Sequence, residues 1–118
     1  MDKRPDEIQA VSLPTFRKAW KRLGLSDEDR EAMEEELLSN PTAGKIMRET
    51  GGARKLRYAL GNRGKSAGAR IIYAYFQEWG RLYFLTVFSK HDKPNLTGQE
   101  RVELEKLVKR LEEALRLQ

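Results

Sequence analysis

Apolar positions recur every three to four residues at both ends of this chain and every second residue in its middle. Leu13, Phe16, Trp20 and Leu23 share one helical face; Pro14 suits the first turn and Gly24 ends the pattern. Ser26 can cap a second helix, with Asp27, Glu28 and Asp29 at the positive end of its dipole. Met33, Leu37 and Leu38 give that helix a narrow apolar stripe, and Asn40-Pro41 stops it. Ahead of both helices, Ile8 to Val11 is a short apolar segment that fits an edge or a central strand. Between 42 and 50 no period holds: Gly44 and the pair Gly51-Gly52 mark turns around Ile46-Met47.

From Lys55 to Leu60 the period becomes two, so Lys55 and Arg57 share one strand face while Leu56, Tyr58 and Leu60 share the other. Gly61 to Ser66 is a glycine-rich polar stretch that reads as a hairpin connection. Ala69 to Phe76, rich in β-branched and aromatic residues, is a strong strand with Arg70 at its start. A turn at Gln77 to Gly80 leads to Arg81 to Phe88, the most apolar strand, and the polar loop Ser89 to Pro94 follows. Thr97-Gly98-Gln99-Glu100 has the capping-box pattern. Behind it Leu104, Leu107, Val108, Leu111 and Leu115 form one apolar face, supported by Glu105–Lys109 and Glu112–Arg116 pairs in the favourable order. The expected fold class is α+β: one domain over residues 1–118, a small antiparallel-rich sheet in the order β-α-α-β-β-β-α, packed against helices.

Charge changes this picture. The stretch from Gly51 to Phe76 holds Arg54, Lys55, Arg57, Arg63, Lys65 and Arg70 and no acid. It carries +6 where the whole chain carries +5, so the remainder sums to −1. Ordinary surfaces mix both signs, and a single-sign patch of this kind suits a polyanion. Pairing of the two strands through the glycine-rich loop brings Arg70 near Lys55 and Arg57. The acids of the second helix read as a solvated surface, as do Arg17, Lys18, Lys21 and Arg22 of the first.

Several chemistries are excluded. The chain has no cysteine, hence no disulfide, thiolate metal site or thiol nucleophile, and its single histidine rules out a histidine-rich metal site. Gly64-Lys65-Ser66 resembles the end of a phosphate-binding P-loop, but Ala59 stands where the first glycine belongs and a strand follows instead of a helix. Gly61-Asn62-Arg63-Gly64 matches the GXXG of KH domains, yet strands flank it where helices should. The first ten residues carry acids and no apolar core of a signal peptide, and no apolar run approaches transmembrane length, so a cytoplasmic protein with no membrane association is expected.

The element order and three segments resemble the RelE/ParE superfamily of toxins from type II toxin–antitoxin systems, in its HigB-like branch. The segments are Thr50-Gly51-Gly52-Ala53-Arg54-Lys55-Leu56-Arg57, Gly64-Lys65-x-x-Gly68-x-Arg70-Ile71-Ile72-Tyr73 and Leu85-Thr86-x-x-x-Lys90. The resemblance implies a metal-independent endoribonuclease, an mRNA interferase, that enters the ribosomal A site and inhibits translation by cutting mRNA, with no cofactor. RNA supplies its own nucleophile in the 2′-hydroxyl, so the protein must hold it in line, move protons and stabilise phosphate charge. By position, Lys55 and Arg57 would lie near the scissile phosphate, Arg70 would stabilise its developing charge, and Lys90 and His91 occupy the loop where relatives carry their last catalytic groups. The acid and the base are not assigned between them. Arg54, Arg63 and Lys65 would hold RNA backbone. The chain lacks the C-terminal tyrosine of some relatives, its last being Tyr83, and Lys55 or Arg57 replaces a strand histidine found in others. Implied partners are a cognate antitoxin of helix-turn-helix type, the ribosome and mRNA, with operator DNA reached only through the antitoxin complex. The alternative is a non-catalytic nucleic-acid- or protein-binding module, including a ParE-like gyrase inhibitor.

Overall fold

The computed structural model describes residues 7–59 and 68–118. Its elements are β1 (Gln9–Ser12), α1 (Pro14–Arg22), α2 (Asp27–Ser39), β2 (Lys45–Ile46), β3 (Arg54–Tyr58), β4 (Ala69–Phe76), a 3-10 turn (Gln77–Trp79), β5 (Arg81–Ser89) and α3 (Gly98–Arg116). They form one five-stranded sheet in the order β1-β5-β4-β3-β2, in which β1 runs parallel to β5 and the other neighbours are antiparallel. The α+β class holds. The order gains one strand over the expected one: β2, only two residues long, is too short to display a period.

Both expected helix caps form. The Ser26 hydroxyl accepts from the Asp29 amide at 3.0 Å, and Thr97 and Glu100 make the reciprocal capping box. Gly80 closes the turn before β5 in the left-handed region at φ 61°.

The sheet has two different faces. On one, α1 and α2 pack Phe16, Trp20, Met33 and Leu37 against Ile71, Tyr73, Leu82 and Phe84. Phe16 lies between Trp20 and Phe84, with ring centroids 5.7 and 5.3 Å away. On the other, Leu104 and Val108 of α3 pack against Ile72, Ala74, Leu85 and Phe88. The bulge at Ile72/Tyr73 in the β4–β5 register adds Leu85 to this second face.

Candidate functional site

The period-two reading of β3 places Lys55 and Arg57 on the α3 side of the sheet, and the strand register gives each a partner there. Arg57 stands directly opposite Arg70 on β4, and Arg70 stands opposite Phe88 on β5. Lys55 lies opposite Ile72, and on its other side opposite Lys45 of β2. Facing side chains on neighbouring strands have Cβ atoms about 5 Å apart. Two adjacent rows, Lys45–Lys55–Ile72 and Arg57–Arg70–Phe88, therefore carry four cations on one face. Apolar cover under α3 reaches Ile72 and Phe88, the last members of the two rows.

Like charges directly opposite each other on a sheet are destabilising. Here they occur twice, as Lys45 against Lys55 and Arg57 against Arg70. Among the described residues no carboxylate is ion-paired with Lys45, Lys55, Arg57 or Lys90. Arg70 differs from its neighbours in burial: it is 8 % exposed, whereas Arg57 is open to solvent. The sequence reading places Arg70 at the opening of a strand and does not anticipate this burial.

Lys45 is the residue that sequence reasoning missed. Its position depends on a network on the opposite face. The Tyr73 hydroxyl donates to the Pro41 carbonyl and accepts from the Gly44 amide, each at 2.8 Å. Burial raises the Tyr73 pKa, countered in part by the Gly44 amide and the Arg54 charge. Arg54 donates to the Gly44 carbonyl at 2.7 Å and the Thr42 carbonyl at 3.3 Å. Gly44 fits because a Cβ there would lie 2.8 Å from the Tyr73 ring and 3.0 Å from the Lys55 carbonyl. Arg54, expected among RNA contacts, thus sits opposite Tyr73 on the other face and fixes the chain entering β2. Arg63 and Lys65, also expected there, and their hairpin loop lie outside the described residues.

The segment Thr50-Gly51-Gly52 closes the β2–β3 connection. The buried Thr50 hydroxyl donates to the Met47 carbonyl at 2.9 Å and accepts from the Ala53 amide at 3.1 Å. Gly51 and Gly52 take φ of 74° and 106°. This opening part of the motif that helped to suggest a family is structural in this chain.

Lys90 and His91 ride on a tight turn beyond β5. The Asp92 amide donates to the Ser89 carbonyl and hydroxyl, at 3.1 and 3.2 Å. Lys93 places its ammonium 5.1 Å from the centre of the Phe88 ring and pairs with Glu100. That ammonium, followed by the Thr97 amide, holds the Glu100 carboxyl below its ordinary range. The turn is thereby tied to the N-terminus of α3 and to the Arg57–Arg70–Phe88 row. His91 lines a cleft with Gly68 and Phe88, while Lys90 is exposed beside it. Among the described residues no three His, Asp or Glu side chains group as metal ligands would, and no helix is long and apolar enough to cross a membrane.

Comparison with known proteins bears on this arrangement. The family model described as "RelE toxin of RelE / RelB toxin-antitoxin system" matches residues 13–118. Among solved structures, a doubly arginine-to-alanine substituted E. coli toxin RelE in the free state is similar with a TM-score of 0.54. The sequences are 20% identical, and the match covers 82% of this chain and 96% of the other. At that identity the likeness concerns the fold.

Proposed function

The chain belongs to the RelE toxin family of toxin–antitoxin systems, and on that footing we propose that it is a ribosome-dependent endoribonuclease that cuts mRNA in the A site. The observation that carries this reading is the doubled like-charge pairing on one sheet face, Lys45 against Lys55 and the exposed Arg57 against the mostly buried Arg70. Such pairs oppose folding, and a bound phosphate between them reverses the sign of the interaction.

The reaction needs no nucleophile and no metal from the protein. The 2′-oxygen attacks the adjacent phosphorus, the bond to the 5′-oxygen breaks, and the products are a 2′,3′-cyclic phosphate and a 5′-hydroxyl. One group takes the 2′-proton and another returns a proton to the leaving oxygen. Arg57 and Arg70 suit the phosphoryl oxygens, since a guanidinium keeps its charge and offers a planar fork of donors. Lys55 on the strand and Lys90 or His91 on the turn flank that pair and are the proton-transfer groups of this mechanism. Lys45 adds a backbone-phosphate contact beside Lys55. A cognate antitoxin would silence the toxin by covering the cationic face or by keeping it off the ribosome. We place the chain in the HigB-like branch on its three sequence segments.

The test is mRNA cleavage on translating ribosomes, with ribosome-free RNA and EDTA as controls, comparing the wild type with the Lys55→Ala/Arg70→Ala double variant. Ribosome-dependent cuts that vanish in the variant are expected, with EDTA applied only to the ribosome-free RNA control. A well-folded wild type that cuts nothing would reduce the cationic face to a docking surface.

A further inference from the structure

Beyond Phe88 the cationic row runs into a cleft of about 810 Å³. It exists because β1 stops early. Pairing of β1 with β5 ends at Phe84, the Leu13 amide donates to the Phe84 carbonyl, and the Thr15 hydroxyl takes the Leu85 carbonyl. From there the chain leaves the sheet edge for α1, and residues 86–89 have no strand partner on that side among the described residues. All four of these consecutive residues line the cleft. Alternate side chains of a strand point to opposite faces, so four in succession can border one space only where the edge itself is presented. That edge offers backbone donors and acceptors. Arg22 of α1 and Leu23 just beyond it form one wall, and His91 and Asp92 of the turn form another.

Asp92 is the odd member. A carboxylate repels phosphate, and the rest of this end of the sheet is cationic. Glu100, the other acid at the rim, is committed to Lys93 and to the helix cap. Asp92 is exposed and has no ion-pair partner among the described residues. What a carboxylate can do for RNA is accept hydrogen bonds from an amino group on a base. Single-stranded RNA is read in this manner, with bases splayed out and bonded along their edges. The Phe88 ring is 5 % exposed and covered by Lys93, so it is not a stacking platform; the open edge and Asp92 remain for recognition.

We propose that this cleft seats a base flanking the scissile phosphate and that Asp92 makes the enzyme favour bases bearing an exocyclic amine over uracil. The proposal rests on the ribonuclease reading above and names its specificity site. An extended peptide is the less suitable occupant: the open edge spans four residues, about 13 Å, shorter than a usual strand.

The experiment maps cut sites on a message library randomised around the cut, on translating ribosomes, for the wild type and Asp92→Asn. Asparagine keeps the shape and replaces two acceptors by one acceptor and a donor. Discrimination against uridine at one flanking position should be clear in the wild type and fall about tenfold in the variant. Cutting with an unchanged profile in Asp92→Asn, or a wild type indifferent to uridine, overturns this proposal and leaves the ribonuclease reading intact. A wild type that cuts no message overturns both. If the profile holds while Asp92→Asn instead escapes neutralisation by the antitoxin, the cleft is a protein-docking surface and the proposal falls.

Discussion

The two faces of the sheet are built from the same strands and obey opposite rules. On the α1/α2 face, Phe16, Trp20, Tyr73 and Phe84 are buried and in contact, and the Tyr73 hydroxyl has both a donor and an acceptor for company. On the α3 face, apolar packing reaches Ile72 and Phe88, and the next positions are cations set against cations. Strand alternation makes the combination possible: Leu56, Ile71 and Tyr73 anchor β3 and β4 from one side, so the exposed Arg57 and the half-buried Lys55 need not contribute to stability from the other. Both faces carry apolar core, and on the second the strand ends beyond that core set cation against cation, an arrangement that suits an anion.

The largest expected effect breaks the second face alone. Arg70→Ala should reduce cleavage by about 10²–10³-fold, the usual loss when a preorganised donor to developing charge is removed. Because Arg70 is mostly buried, alanine also removes packing, and Arg70→Lys separates the two effects. Lysine keeps charge and stem but not the bidentate fork, so it should melt near the wild type and still lose most of the activity. Full activity in Arg70→Lys would remove the fork from the mechanism.

The next largest effect reaches the second face through the first. Gly44→Ala puts a methyl into the Tyr73 ring and the Lys55 carbonyl. It should lower stability by about 1–3 kcal/mol, the range for overpacking. It should also weaken RNA contact by disturbing β2 and Lys45. Tyr73→Phe leaves the Gly44 amide and the Pro41 carbonyl without their partner and should cost about 1–3 kcal/mol. Denaturant melts of both variants, beside cleavage rates, decide whether the faces are coupled. Normal cleavage by either would show that the Lys45 position is immaterial.

Lys45→Ala and Arg57→Ala should split stability from function in the opposite direction. Each relieves one like-charge pair, so each should leave stability unchanged or raise it by about 0.2–1 kcal/mol. Each should lower RNA affinity and reduce the salt slope of single-strand binding by about 0.7. A variant that loses both stability and binding would mean that these cations are structural.

The sequence revealed most of this contrast where a period ran long enough. Alternation over Lys55 to Tyr58 separated cations from residues packed on the core, with Leu60 outside the described residues, and the α3 stripe predicted Leu104, Val108 and Leu115 as buried. It failed where the signal was shorter than its period. Two residues cannot display alternation, so β2 and Lys45 went unread, although Gly44 and Ile46-Met47 bracketed them. Arg54 was counted by charge when its strand parity already assigned it to the other face. The approach of Arg70 to Lys55 and Arg57 was legible from the expected strand pairing, and only the register shows that Arg57 is the residue directly opposite Arg70. The cleft depends on where β1 stops pairing, a tertiary fact without a local signature.

The smallest predicted effect concerns the turn that carries Lys90 and His91. Glu100 ties it to α3, and the Lys93 ammonium lowers the folded-state pKa of its carboxyl below the ordinary 4.5. A lowered folded pKa stabilises the fold above the unfolded value, and the contribution disappears as pH falls from about 4.5 through the folded value. With its side chain 37% exposed, the pair should be worth well under about 1 kcal/mol. Glu100→Gln isolates the charge, because glutamine also serves in a capping box. Its melting temperature should match the wild type at the acid end of that window and fall slightly below it at neutral pH. Identical melts at every pH would mean that the Lys93–Glu100 pair contributes nothing in solution. The turn would then be held by the Ser89–Asp92 bonds and by Lys93 over Phe88, and the cationic face would owe α3 no more than its apolar cover.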